Sequence, residues 1–313
     1  MTQPTTVRSE SLWFRDGNVI LQAEETQFKV YQGLLAKQSA IFSDMFALPQ
    51  PSVGEELVEG NPVVSLSDTA KEVSFVLEAI FLRRWVAPGE RIPLKVAAAF
   101  LRLGNKYEIE TLRTEALKRL YFEFPSNLAG LDTVIYGDGK GTMIERAGWM
   151  YIDAANLARE QNLLSALPIA LYWCCRWKLS VLEQGQRRPD GTISTLSPVN
   201  ERACFLAYSE LLELKEQKTF LWALPTSPGF DSCRSPNECR AARNKLAASV
   251  LFPTSATLCF GIWKDEYKTG QCNLCIPVAR RMHKDGRQQL WDALPGVFGL
   301  PDWEELRKER DVL

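Results

Sequence analysis

The sequence predicts an α+β fold, with a small sheet flanked by helices at the N-terminus and a mostly α-helical region after it. Three observations carry that prediction. Short apolar alternations lie within the first 70 residues, at 18–23, 28–30 and 63–66. From Thr69 to Leu120 the apolar residues recur instead at helical spacing. Beyond Pro125 the helical period continues with little change of composition. The 313 residues, 46% hydrophobic and 24% charged, exclude wholesale disorder and collagen-like sequence, and length suggests about two domains.

The first strand covers residues 18–23, where Val19, Leu21 and Ala23 alternate with Asn18, Ile20 and Gln22. Ile20 breaks the polar side of that alternation. Residues 24–27 turn the chain, and Phe28 and Val30 begin a partner strand. One or two helical turns follow over 32–37, and Ser39 caps a second short helix bearing Ile41, Phe42, Met45 and Phe46. After a stretch rich in proline, glycine and acids at 49–62, residues 63–66 form another strand. Thr69 and Glu72 have the spacing of a capping box and open a helix with Val73, Val76, Leu77, Ile80 and Phe81 on one stripe. Two further amphipathic helices carry Val96, Ala99, Phe100 and Leu103, then Ile109, Leu112, Ala116, Leu117 and Leu120.

The segment Phe28-Lys29-Val30-Tyr31-Gln32-Gly33-Leu34-Leu35-Ala36-Lys37-Gln38-Ser39, with Phe42, Met45 and Phe46, resembles the signature of BTB/POZ domains. Residues 98–109 with Leu112 are similar to a second family element, and Asp16-Gly17-Asn18-Val19-Ile20-Leu21 to the opening strand. The resemblance spans about residues 11–124, and the layout with its tail is similar to BTB-domain proteins of mushroom-forming fungi. It implies that Phe28, Leu35, Ser39, Phe42 and Phe46 take core and helix-cap positions. One departure is Tyr31, where the family usually has histidine. The resemblance further implies a protein-interaction adaptor that associates with itself or with a cullin-3 type scaffold. In the second case the chain recruits substrates for ubiquitin transfer and supplies proximity, not chemistry. Cullin-binding members often have an apolar-x-Glu element after the helix pair; Val53-Gly54-Glu55 and Leu57-Val58-Glu59 both fit. Leu48, Val53 and Glu55 are the candidate partner-binding residues. The alternative is a homodimeric scaffold or a transcription or chromatin regulator.

The remainder reads as a helical domain at 125–224 and a cysteine-bearing region of helices and loops at 225–313. Helical spacing places Tyr151, Ala154, Ala155 and Ala158 on one face. Residues 163–182 are apolar and carry Trp173 and Trp177 four apart, the pattern of core packing. Residues 185–198 read as an exposed polar loop, 199–224 as helix, and 225–236 as a linker or long loop. The aromatic segment 291–303 must be docked, and 304–313 is a short charged helix or frayed tail.

Cys272-Asn273-Leu274-Cys275 has the two-residue gap that lets both thiolates reach one tetrahedral ion. Cys233 and Cys239 could supply the other pair, although 32 residues separate Cys239 from Cys272, longer than a compact zinc ribbon. Three states are open to these thiols: a closed structural zinc site, separate reduced cysteines, or a disulfide or redox pair. The chain has one histidine, His283, which excludes poly-histidine metal sites and leaves any His-dependent catalysis to that residue. It falls in a basic run with Arg280, Arg281, Lys284 and Arg287, read as a solvated helix face with His283 at the surface. Residues 137–142 fail the Walker pattern because Gly141 separates Lys140 from Thr142.

No catalytic spacing emerges, so the chain reads as a non-enzyme. The net charge of −1, and 13 basic against 11 acidic residues over 226–313, give no broad basic surface for nucleic acid. The apolar stretch 162–175 contains Pro168 and is too short for a membrane span. A polar N-terminus and too few cysteines for a disulfide scaffold point to cytoplasm or nucleus.

Overall fold

A computed structural model describes residues 6–48, 57–137, 142–252 and 256–312. The chain divides into two compact units, one of Met1–Glu123 with Thr142–Glu145, the other of Phe124–Gly141 with Arg146–Leu313. Apart from 142–145, the stretches 125–224 and 225–313, read from sequence as separate regions, lie within one of these units. Among the described residues no helix is long and apolar enough to cross a membrane.

The first unit contains strands β1 (Val7–Trp13), β2 (Val19–Ala23), β3 (Thr26–Val30), β4 (Leu57–Val58) and β5 (Asn61–Leu66). Its helices are α1 (Gln32–Gln38), α2 (Ala40–Ala47), α3 (Ala70–Leu82), α4 (Leu94–Lys106) and α5 (Glu110–Glu123). The strands form one mixed sheet in the order β1-β3-β2-β5-β4. β2 and β3 are an antiparallel hairpin with Leu21 opposite Phe28, and β2 also pairs in parallel with β5. β2 is therefore central, and Val19, Ile20, Leu21 and Ala23 are all buried. That burial explains the imperfect alternation at Ile20: a strand covered on both faces has no side to leave polar. β1 was not legible in the polar N-terminal sequence. It pairs in parallel with β3, and that register carries only two apolar residues near its end, Leu12 and Trp13.

Local chemistry sets the joints of this unit. Glu24 takes a left-handed conformation (φ 50°) in the β2–β3 turn, and its carboxylate accepts the Ala70 N–H at the start of α3. It is thus a cap from a distant strand turn, in addition to the Thr69 hydroxyl that accepts from Glu72 N–H. Tyr31 donates its hydroxyl to Asp16 at 2.6 Å, and its ring packs on Phe14. Buried Arg119 binds the 85–90 loop through the carbonyls of Trp85, Ala87 and Glu90, and pairs with Glu115 at 2.7 Å.

The second unit holds α6 (Leu128–Tyr136), α7 (Gly148–Glu160), α8 (Leu167–Cys175), α9 (Leu179–Gln184), β6 (Gln186–Arg187), β7 (Ile193–Ser194) and α10 (Pro198–Leu214). It ends with α11 (Pro236–Leu251), α12 (Cys275–Val297) and α13 (Trp303–Arg307). The apolar segment 163–182 is two helices, α8 and α9, and Tyr151 stacks on Trp173 at 5.3 Å. The expected polar loop after it is a small hairpin, β6–β7, because Arg188 binds both carboxylate oxygens of Asp153 and Ser194 donates to the same group. Gly185 at φ +76° allows that hairpin, since a Cβ there would meet the Ser194 carbonyl at 2.3 Å. After α10 the helix widens into one π turn, Lys215–Thr219, followed by a 3-10 turn, Leu221–Ala223. Phe220, Trp222, Ala223, Ala247, Val250, Tyr267 and Ala279 form a buried cluster around this turn.

The aromatic end of the chain is docked, as its composition required. Trp303 stacks on Trp291 at 4.7 Å and donates its indole N–H to the Trp291 carbonyl. Arg307 and Arg310 then donate to the carbonyls of Ser126 and Phe124. The charged tail is held by these bonds through Val312, not frayed.

Ser39 offers the cleanest test of the first unit. Its buried hydroxyl donates to the Tyr107 carbonyl and accepts from Phe42 N–H, joining α2 to the end of α4. Ser39→Ala should cost about 1–2 kcal/mol in a urea titration of the full chain. Ser39→Thr should retain most of that stability.

Candidate metal centre

Two helix starts and two irregular segments converge on one set of thiols. The stretch 225–235 lacks regular structure, and a turn from Phe230 O to Cys233 N (3.0 Å) presents Cys233. Pro236 begins α11, and its first turn carries Cys239, whose N–H binds Ser235 O at 2.9 Å. Ser235 and Pro236 are a helix-start signal in the sequence itself, at the N-cap and N1 positions. Cys272 lies in the turn that leads into α12, and Cys275 is the first residue of that helix. The start of α12 thus brings the amides of Leu274 and Cys275 toward sulfur, and the loop before α11 adds that of Arg234.

The sulfur atoms of Cys233, Cys239, Cys272 and Cys275 lie within 4.8 Å of one another. The sulfurs of Cys233 and Cys272 are 4.0 Å apart, and Cys272 N–H donates to the Cys239 sulfur at 3.1 Å. A tetrahedral zinc thiolate with bonds of about 2.3 Å places sulfurs about 3.8 Å apart. The donor set therefore suits one tetrahedral ion after small side-chain rotations. Cys239 and Cys275 are buried; Cys233 and Cys272 are half-buried.

The thiols do not share one proton affinity. The Cys272 thiol is pulled down to about 6, first by the backbone amide of Arg234 and then by those of Cys275 and Leu274. Burial pushes the thiols of Cys239 and Cys275 up. One easily ionised thiol beside two reluctant ones is a group that a cation would complete by displacing the remaining protons. The sequence identified all four residues. The amide donors at Arg234 and Leu274 were not legible, because they depend on how the two loops meet.

The other four cysteines belong to the core. Cys174, Cys175, Cys204 and Cys259 are buried, and the thiols of Cys175, Cys204 and Cys259 each point to a backbone carbonyl. Burial pushes the Cys259 thiol up to about 12.

His283 is not at the surface and is not part of the thiol group. It is 1% exposed on the inner face of α12. Nε2 lies 2.8 Å from the Gly261 carbonyl and must donate to it, and Nδ1 accepts the Trp222 indole N–H at 3.2 Å. The basic run divides accordingly: Arg280, Arg281 and Lys284 are exposed, whereas Arg287 is buried, paired with Asp132 and donating to the Phe260 carbonyl. A helix face 100° per residue decides which residues turn inward, and the charge run hid that division.

Of the candidate partner-binding residues, Leu48 ends α2 with its side chain 65% exposed. Val53 and Glu55 lie outside the described residues, as do 138–141 of the glycine-rich loop. In the similar element at 57–59, Glu59 is already engaged, accepting from Lys29 Nζ at 3.1 Å and Arg8 at 2.7 Å.

The chain matches no protein-family model, no curated protein and no solved structure.

Burial lowers the His283 imidazole to about 4, with the Arg287 charge adding and the Gly261 and Thr219 carbonyls opposing. The unfolded imidazole titrates near 6.5, so the unfolded chain binds the proton first as pH falls. Stability linked to His283 is complete above about pH 6.5 and is lost down to about pH 4. Between pH 7 and 4.5 the loss should be about 2–3 kcal/mol. Urea titrations at the two pH values should show this excess in the wild type and not in His283→Gln.

Proposed function

We propose that this chain is a non-catalytic protein-interaction adaptor built on a BTB/POZ-type N-terminal unit, with a structural zinc ion in its C-terminal unit. The observation that carries the first part is the element order of the N-terminal unit. Hairpin β2–β3, the helix pair α1–α2 and strand β5 are followed by α3, α4 and α5, the order the family resemblance implies. Phe28, Leu35, Ser39 and Phe42 are buried, with Ser39 capping α2. The only imidazole in the chain is occupied at both nitrogens inside the core, which supports a binding role over acid–base chemistry.

The partner surface is the rim of the helix pair, where Leu34 and Leu48 are exposed. A cullin-3 type scaffold is the partner class this surface fits best by resemblance. Purified chain should retain the cullin-3 N-terminal domain in a pull-down, and Leu48→Asp should weaken that binding at least tenfold. Absence of binding by the folded wild type would overturn the cullin reading. Self-association has its own supporting observation: among the described residues β1 stands at one end of the strand order and pairs only with β3. Such an edge accepts a strand from a second copy.

The zinc reading rests on the four converging thiols, and a tetrathiolate closes the coordination sphere, leaving no position for substrate. Native mass spectrometry should find one zinc per chain, and would also show whether a dimer forms. Replacing Cys272 and Cys275 together by Ser should release the metal and lower the thermal midpoint of the C-terminal unit. Metal-free wild-type protein purified with zinc present would sink the proposal.

A further inference from the structure

Arg243 is a buried cation with no ion pair among the described residues. It stands on the inner stripe of α11, one turn beyond Cys239 and one turn before Ala247. The residue is 6% exposed, and its Nε and Nη1 atoms are shut from solvent without a hydrogen-bond acceptor. Its guanidinium carbon lies 3.8 Å over the Phe230 ring, and the Phe230 carbonyl anchors the Cys233 amide. Arg243 is thus tied to both segments that supply Cys233 and Cys239.

A guanidinium stays charged at any physiological pH and donates in every direction it offers, so it cannot be a metal ligand. Buried and unpaired, it requires a negative charge nearby. A divalent ion held by four thiolates carries two net negative charges. We infer that Arg243 is the counter-cation of the tetrathiolate centre, balancing part of its charge and raising its metal affinity. This rests on the zinc reading. Arg243 acts through charge on the sulfur set, and its ring contact with Phe230 holds it in place.

Charge and packing separate in two variants. Arg243→Met keeps much of the volume and removes the charge; Arg243→Lys keeps the charge and alters the shape. Zinc affinity of the full-length protein is measured by competition with a chromophoric chelator, using zinc ion alone as the probe. The counter-charge role predicts a loss of roughly 10- to 100-fold for Arg243→Met, the range for partners just outside a metal's ligands, and a near-normal value for Arg243→Lys. Cobalt(II) spectra should keep the tetrathiolate bands in both. Unchanged affinity in Arg243→Met overturns the inference and leaves the zinc reading standing, as does an equal loss in both variants, which marks a packing role. Wild-type protein that binds neither zinc nor cobalt overturns both. If Arg243→Met does not fold, Arg243→Gln is measured against the same criteria.

Discussion

The close seating of α12 on the π turn Lys215–Thr219 is the constraint on which the C-terminal unit depends. Gly286 makes it possible: a Cβ at that position would lie 2.1 Å from the Lys218 carbonyl. At that distance one helix can bury Cys275, Ala279, His283, Arg287, Leu290, Trp291 and Leu294 along a single stripe. The buried polar members of the stripe then have to be satisfied by whatever faces them. His283 meets the Gly261 carbonyl and the Trp222 indole just past the π turn, whose Thr219 hydroxyl turns to the Cys259 carbonyl. Arg287 finds Asp132 and the Phe260 carbonyl. Each of these bonds joins segments distant in sequence, so the helix organises chain from residue 132 to 291.

The same helix positions the thiols, because its first residue is Cys275. The segments around the cysteines, 225–235 and 269–274, contain no regular hydrogen-bond ladder of their own. Held by a metal, they gain a cross-link across the 32 residues between Cys239 and Cys272. Such a link removes most conformational freedom where secondary structure removes least. The proposed ion would thus act structurally, at a place away from α12's tightly packed middle.

The N-terminal unit solves a different problem, that of a small sheet with two edges. β4 is two residues long, and β1 places Arg8 and Glu10 on its exposed side. Two residues leave β4 little edge to pair, whereas β1 keeps a seven-residue edge open to a matching strand. Leu34 and Leu48, in contrast, leave apolar side chains open at the helix pair.

Much of this molecule was legible in the sequence where the signal is local. The hairpin, the Ser39 and Thr69 caps, the three amphipathic helices and the docking of residues 291–303 follow from periodicity, capping chemistry and the cost of exposed aromatics. Cys272 and Cys275 were nameable from their two-residue gap, and Cys233 and Cys239 only as an upstream pair that could complete a tetrahedral set. What the sequence could not determine depended on partners far along the chain. His283 sits in a run of charges, yet the helical period turns it inward onto Trp222 and Gly261, 61 and 22 residues away. The β6–β7 hairpin exists because Asp153 gathers Arg188 and Ser194, and β1 because β3 offers it an edge. Arg243 looks like any surface arginine until its helix is placed. Periodicity reports which residues share a face; only the tertiary structure decides what that face meets.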